Sequence, residues 1–343
     1  MIPHVSLPSE LPIVQAPMAG GPSTPELTAA VAEAGAYGFV AAGYLTAEEL
    51  HSAIEATRML TNAPFGVNLF VPSTPGNAEE VVAYARLIKP EAERFGIALG
   101  EPRWEDDAYE AKLDVVESDH VHLVSFTFGC PAWEVVDRLH RANCQVAITV
   151  TSVSEAQLAI EVGADLLIVQ GTEAGGHQGS FADLDANYRP LLSVLAEIRE
   201  TTYVSMIGTG GVMTGRDAAA VLRAGAIAVQ LGTALLCTPE AGTSLPYRRA
   251  LLDAPYPDTI VTRAYSGRFA RGLANRFALE YDGQAPQAYP EVHHLTRPIR
   301  VAATRVSDAS VPNLWAGTGW RQLTSEPAAT IIRRIAREAQ HSI

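Results

Sequence analysis

The 343-residue chain has little cysteine and no concentrated positive charge. Cys130, Cys144 and Cys237 are odd in number and far apart. That excludes a disulfide framework and a zinc-ligand pattern, and it reads as reduced thiols in a cytoplasmic protein. The net charge of −13, with no run of Lys or Arg, argues against nucleic acid and against an anionic membrane surface as partners. No apolar stretch reaches the ~20 residues that a membrane helix needs. Residues 1–12 lack the basic start and apolar run of a signal peptide. No His/Asp/Glu cluster stands at metal spacing, and the adjacent His293 and His294 would point apart on a helix. A Walker lysine is missing, and Gly208-x-Gly210 lacks the third glycine and the downstream acid of a dinucleotide fingerprint. What survives these exclusions is a small-molecule substrate, because charge inside a cleft can oppose the global sign.

Apolar residues are plentiful, at 48% against 18% charged, so a large core is available. Three segments share one design: Glu33-Ala-Gly35-Ala to Gly43, Glu161-Val-Gly163-Ala to Gly171, and Arg223-Ala-Gly225-Ala to Gly232. Each reads as a helix end, a Gly-Ala turn, a short apolar run and a closing glycine. The first glycine suits a left-handed helix terminus. The short unalternating run suits a strand buried on both faces of a parallel sheet. The closing glycine suits close approach of the backbone to a ligand. Thr46-x-x-Glu49 and Ser152-x-x-Glu155 read as capping boxes, and Thr24-Pro25 as a cap before a first-turn proline.

Strand candidates fall at about 13–16, 37–41, 66–70, 121–126, 145–150, 166–170, 203–208 and 227–231. Eight strands alternating with helices predict an α/β fold, a (β/α)8 TIM barrel, with an open doubly wound sheet as the alternative. The stretch from about 71 to 120 is longer than one barrel helix needs and is expected to hold an insertion after the third strand. The expected division is a barrel over residues 1–238, then an eighth helix and a mostly helical extension over 239–343 covering the active-site mouth. In the last helix, near 327–340, Ile331, Ile332 and Ile335 share one side among arginines, which suits packing on the barrel better than a membrane surface. A homodimer would be common for such a barrel, but nothing in the sequence specifies an interface.

Barrel active sites lie at the C-terminal ends of the strands. After the first strand, Ala16, Pro17 and Met18 with the following glycines make a smooth wall suited to a flat ring. Asn68 and Gln170 place amides at strand ends, each with a donor and an acceptor for a ring edge. After the sixth strand come Gly175, Gly176 and His177; the histidine can exchange a proton or bond an anion. After the seventh and eighth strands, Gly210 and Gly211, then Gln230, Leu231, Gly232 and Thr233, offer backbone N–H groups where barrels hold phosphate. A phosphate plus a flat polar ring is the description of FMN.

These residues resemble the nitronate monooxygenase family over most of the chain. The resemblance rests on Gln15-Ala-Pro-Met-Ala-Gly-Gly21, Phe65-Gly-Val-Asn68, Val124-Ser-Phe-Thr-Phe-Gly129, Gln170-Gly-Thr-Glu-Ala-Gly-Gly-His177, Gly210-Gly211 and Gln230-Leu-Gly-Thr233. The Glu-Ala-Gly-Gly-His segment also occurs in related FMN-dependent enoyl-thioester reductases. The resemblance implies His177 as the active-site histidine, FMN contacts from the residues above, and Ser266 in a return loop near the flavin. It implies FMN-dependent oxidation of alkyl nitronates to carbonyl compounds and nitrite with O2. An FMN-dependent NAD(P)H reductase of an enoyl thioester or quinone is the alternative, and a flavin-binding protein without catalysis a third reading. Two departures bear on the substrate pocket. Thr127 stands where many members have His, and Tyr289, His293 and Arg297 stand where many have Tyr, Tyr and Lys. At four-residue spacing these three either share the wall-forming face of a helix or form a solvated one.

Overall fold

A computed structural model describes residues 7–253 and 256–342. Nine strands precede residue 232: β1 (Ile13–Gln15), β2 (Gly38–Ala41), β3 (Phe65–Phe70), β4 (Leu123–Thr127), β5 (Gln145–Val150), β6 (Leu166–Gln170), β7 (Gly176–His177), β8 (Ser205–Thr209) and β9 (Ala228–Leu231). All but β7 form one parallel sheet in the order β1-β9-β8-β6-β5-β4-β3-β2. The sheet closes where Val14 bridges Tyr37, with Gln15 N–H donating to Tyr37 O at 2.8 Å. This is the expected (β/α)8 barrel, and every strand lies within two residues of its sequence-based position.

Helices α1 (Pro25–Glu33), α2 (Ala47–Leu60), α3 (Ala78–Arg94), α4 (Tyr109–Ser118), α5 (Trp133–Arg141), α6 (Val153–Glu161), α7 (Leu191–Thr201) and α8 (Gly215–Arg223) follow in chain order. Thr24 and Thr46 cap α1 and α2 as their motifs require, the second with a complete capping box. Ser152 caps α6, but Glu155 does not return to it. Its carboxylate accepts instead from Thr151 N (2.6 Å) and Phe181 N (2.7 Å), tying α6 to the loop beyond β7. The glycines that open the repeated turns, Gly35, Gly163 and Gly225, all have φ between +86° and +98°. A β-carbon there would meet its own backbone, which explains the repeat.

The closing glycines behave differently. A β-carbon on Gly43 would strike the Phe70 ring, and one on Gly171 would strike Leu191. Both make room for protein, not ligand, and of the three only Gly232 lines the cleft described below.

After β9 the chain builds α9 (Leu245–Leu252), the antiparallel pair β10 (Thr259–Thr262) and β11 (Ala270–Leu273), then α10 (Arg276–Tyr281), α11 (Glu291–Arg305) and α12 (Ala328–Gln340). The extension is thus not only helical. Strand β11 pairs with β7, placing Ala270 opposite His177. Helix α12 packs on α8 and α1. Its Ile331, Ile332 and Ile335 are buried in the main core, in the gap where a barrel's eighth helix sits.

Four apolar clusters are present among the described residues: that of Leu236, Leu251, Leu273 and Trp320 lies at α9, and the other three explain the layout. One lies between strands and outer helices, and a smaller one fills the barrel interior around Val14, Phe39, Leu123, Ile168 and Ile207. The third joins the insertion to the extension. Tyr84 and Ile88 of α3 pack with Phe277 of α10 and with Val292, Leu295 and Ile299 of α11. Helix α4, which packs on α2 and β3, serves as the ordinary barrel helix, so the insertion runs from the end of β3 to about residue 108. Among the described residues no helix is long and apolar enough to cross a membrane.

Candidate active site

The C-terminal strand ends open into a cleft of about 980 Å³ roofed by the extension. Ala16, Pro17 and Met18 after β1, Asn68 of β3, Thr127 of β4, Gln170 of β6, Gly175, Gly176, His177, Gly210, Gly211, Gln230, Gly232, Thr233 and Ser266 all line it, as do His293 and Arg297 of α11. Leu231 does not: it is fully buried and faces the core between strands and helices. Tyr289 does not line it either.

Tyr289 also departs from its expected setting. Helix α11 starts at Glu291, so Tyr289 precedes it and cannot share its face with His293 and Arg297. Its buried ring packs edge-on against His177 (5.6 Å between centroids) and Phe128 (5.4 Å), and its hydroxyl donates to Tyr44 Oη at 3.1 Å. Tyr44 in turn stacks on the His293 imidazole, 4.4 Å away and 7° from parallel. The three positions therefore do not form one helical stripe. Tyr289 lies behind His177, His293 stacks on Tyr44, and Arg297 is exposed at the rim.

His177 is held from several sides. The turn before it is made by Gly176 at φ +77°, a conformation that disfavours a side chain. Gln170 clamps the backbone around the histidine: its Nε2 donates to His177 O (3.2 Å) and its Oε1 accepts from Gly179 N (2.7 Å). The amide expected to meet a ring edge is thus committed to fixing the loop. His177 Nε2 lies 2.8 Å from Ser266 Oγ, which also lies 3.2 Å from Arg268 O. Phe128, at φ +79°, presents its ring edge-on to the imidazole, and Arg268 stacks on that same ring at 4.3 Å. Trp315 of the extension closes the other side, 5.5 Å from the imidazole.

These surroundings keep the imidazole neutral. Burial, then the charges of Arg268 and Arg300, lower its pKa from 6.5 to about 3. Burial is also the first cause pushing His293 well below its ordinary value, again helped by Arg300. The charges that act on both imidazoles are thus mainly those of arginines, although the chain carries −13 and Glu105, Asp106 and Asp107 line another part of the cleft.

The amide and hydroxyl groups of the barrel wall are ordered with respect to one another. Asn68 Nδ2 donates to Ser125 Oγ (2.9 Å) and Thr127 Oγ1 (3.0 Å), so the residue standing where a histidine was expected supports Asn68. Gln230 Oε1 is buried with no hydrogen-bond partner. The N–H groups of Gly211, Val212, Gly232 and Thr233 donate to no acceptor among the described residues, the arrangement suited to an anion. Thr233 Oγ1 accepts from Gly317 N at 2.9 Å, fastening the extension to the barrel rim.

Sequence reading missed Tyr44, Phe128, Arg300 and Trp315. Phe128 lies inside the Val124–Gly129 motif, where its left-handed backbone carries no local mark. Arg300 lies three residues beyond Arg297 on α11, off the four-residue spacing. Tyr44 and Trp315 reach the site only through tertiary contacts.

The chain is similar to known proteins over nearly its whole length. The family model for nitronate monooxygenase matches residues 6–338. A probable nitronate monooxygenase of Staphylococcus aureus (strain MSSA476) is 37% identical over 342 residues, covering 96% of this chain and 94% of that protein. The crystal structure of a nitroalkane oxidase from Streptomyces ansochromogenes superposes with a TM-score of 0.95 at 46% identity, covering 98% of this chain and 97% of the other. FabK from Thermotoga maritima superposes at 0.76 with 26% identity, over 97% and 94% of the two chains.

Proposed function

The chain belongs to the nitronate monooxygenase family, and from that premise we propose that it is an FMN-dependent enzyme that oxidises alkyl nitronates to carbonyl compounds and nitrite with O2. The observation that carries this reading is the neutral His177, pinned by Ser266 and Gln170 at the cleft wall within reach of the charges of Arg268 and Arg300. Such a site favours a substrate that arrives as an anion, as a nitronate does.

The residues present fit FMN. The unpartnered Gln230 Oε1 at the cleft wall is a buried acceptor that a flavin-ring N–H would satisfy, and leaving it unmet would be costly. Gly210, Gly211, Gly232 and Thr233 would hold the phosphate through their backbone and the Thr233 hydroxyl. Ala16, Pro17, Met18, Asn68, Gly175 and Gly176 would bound the ring, and Ser266 stands at its margin through His177. Bound FMN supplies the electron transfer from substrate to O2, which no side chain here can perform.

The chain's own residues orient the substrate. His177 holds the nitro group, or accepts an α-proton when a neutral nitroalkane is offered; its low proton affinity makes the second task the harder one. The Phe128, Tyr289 and Trp315 rings pack around the imidazole and leave its cleft side open to substrate. Thr127 and His293 stand on the substrate side of the cleft, with Arg297 exposed at its rim.

The test is a visible spectrum of the purified protein, followed by propionate 3-nitronate without oxygen and then air. A flavin spectrum that changes with the nitronate alone, and nitrite once air enters, is the expected result. A flavin bleached by NADPH with no response to nitronate would overturn the reading in favour of a reductase, the reaction class that shares the Glu173-Ala-Gly-Gly-His177 segment.

A further inference from the structure

Every charged side chain at the cleft can be asked what balances it. Several arginines in this protein answer with a carboxylate: Arg276 with Glu91 at 2.6 Å, Arg263 with Asp183 at 3.1 Å, Arg138 with Glu117 at 2.7 Å. Arg300 does not. It is buried on α11, it lines the cleft, and no carboxylate lies within ion-pair distance of it among the described residues. Its partners are all uncharged: Thr296 Oγ1 at 3.1 Å, Asn313 Oδ1 at 2.9 Å and His293 O at 2.9 Å, with His293 Nδ1 at 3.4 Å.

These contacts fix the guanidinium without neutralising it. Thr296 is itself anchored, donating to Tyr265 O at 2.5 Å. The plane is thus set by α11 on one side and by the Asn313 loop on the other. A guanidinium has five N–H donors, and the contacts above leave some of them free. A buried cation without a counter-charge is costly, and the cost falls when an anion enters.

Arg297 has none of these constraints. It is exposed at the rim, and among the described residues no hydrogen bond or ion pair holds it. The planar fork of an arginine matches two oxygens on one planar atom, which is the shape of both a carboxylate and a nitronate.

We propose that Arg300, rather than the rim residue Arg297, binds the two oxygens of the substrate's anionic group and so sets the enzyme's selection of anions over neutral molecules. The proposal rests on the nitronate reading for the identity of that anion, but not for its existence. Arg300 is a binding residue held in position by Thr296 and Asn313. The same charge that attracts the anion also disfavours protonation of His177 and His293, so the site selects a substrate that is already ionised.

The experiment compares Arg300→Met, Arg300→Lys and Arg297→Met as purified holoproteins. Two quantities are measured: the dissociation constant of inorganic nitrate, a planar unreactive anion, from its perturbation of the flavin spectrum, and KM and kcat for ethylnitronate. Arg300→Met is expected to raise the nitrate constant and KM about 10- to 100-fold, the scale of a charge-assisted pair. Bound flavin and the affinity for neutral nitroethane should not change, which a merely structural role would not spare. Arg300→Lys should fall between, because an ammonium keeps the charge but not the fork. Arg297→Met should stay within about threefold of wild type, as expected for an exposed charge. The reverse pattern, with the loss at Arg297 and none at Arg300, overturns the proposal. Should Arg300→Met fail to fold, Arg300→Lys decides: a nitrate constant equal to wild type overturns it. Nitrate binding that depends on Arg300, with no turnover of nitronate by the wild type, would sink the nitronate reading and leave the anion site standing.

Discussion

The barrel rim and the roof built by α3, β10, β11, α10 and α11 face the same cleft with different materials. The rim offers backbone: the free N–H groups of Gly211, Val212, Gly232 and Thr233, with the Gln230 and Asn68 amides between them. The roof offers side chains: Ser266 on His177, the buried Arg300, the exposed Arg297 and the rings of Tyr289, His293 and Trp315. Backbone groups cannot be altered by substituting a side chain, so they suit a constant ligand such as a cofactor. Side-chain charges and rings are exchangeable, so they suit the part of the site that chooses a substrate. Of the departures from the family pattern, His293 and Arg297 lie on the roof, where this division allows them, and Thr127 lies on the barrel wall, where it supports Asn68.

That contrast can be broken most severely on the rim. Gly211 has φ +70°, and a β-carbon there would come within 2.9 Å of Glu173 Cβ. Gly211→Val should therefore abolish flavin retention, read as the ratio of flavin to protein absorbance. Retained flavin would show that the phosphate is held elsewhere. His177 lies where rim and roof meet. His177→Asn is expected to keep flavin while turnover falls at least ~100-fold, the scale of one acid–base group. Unchanged turnover would remove it from the mechanism.

A smaller effect tests whether the last helix belongs to the barrel. Ile332 of α12 is fully buried in the main core, so Ile332→Ala should cost about 2–5 kcal/mol in a urea titration. A cost near zero would make α12 a peripheral appendage. Smaller still, Ser266→Ala removes one hydrogen bond from His177 and should lower kcat about three- to tenfold without changing flavin content.

The least effect is expected from pH. His177 is lowered from 6.5 to about 3, by burial first and then by Arg268 and Arg300. In the unfolded chain the imidazole gains a proton as pH falls below 6.5, but in the folded chain it does so only near 3. Stability from this group is thus present above 6.5 and is lost as pH falls through that window. His177→Asn should lose less stability than wild type on acidification from about pH 7 to about pH 5. With pre-formed nitronate, kcat should show no acid limb near pH 6.5. A limb there would mean that His177 titrates normally and that the roof's charges do not reach it.

Rim and roof also differ in how well they could be read. In the barrel, strand, turn and helix are contiguous, so the glycines at 35, 163 and 225 and the caps at Thr24 and Thr46 announced themselves within a few residues. Local reading erred there where the reason for a residue was a distant neighbour. Gly43 and Gly171 clear space for Phe70 and Leu191, Glu155 leaves its helix to bond Phe181, and Gln170 is committed to the loop of His177. On the roof almost nothing is contiguous. Ser266 is 89 positions from the histidine it touches, and Tyr289 is 245 positions from the hydroxyl of Tyr44. Four-residue spacing grouped Tyr289 with His293 and Arg297, but the helix begins only at Glu291.

The sequence by itself determined the eight-stranded barrel, the strand ends at which chemistry gathers and the presence of His177 among glycines. Each depends on hydrophobic period and backbone conformation, which act over a few residues. Only the tertiary structure decided that α12 packs between α8 and α1, that β7 leaves the barrel to pair with β11, and that Arg300 is buried without a carboxylate. Those outcomes depend on which distant segments share a core, and burial and electrostatic balance are properties of that packing rather than of any stretch of chain.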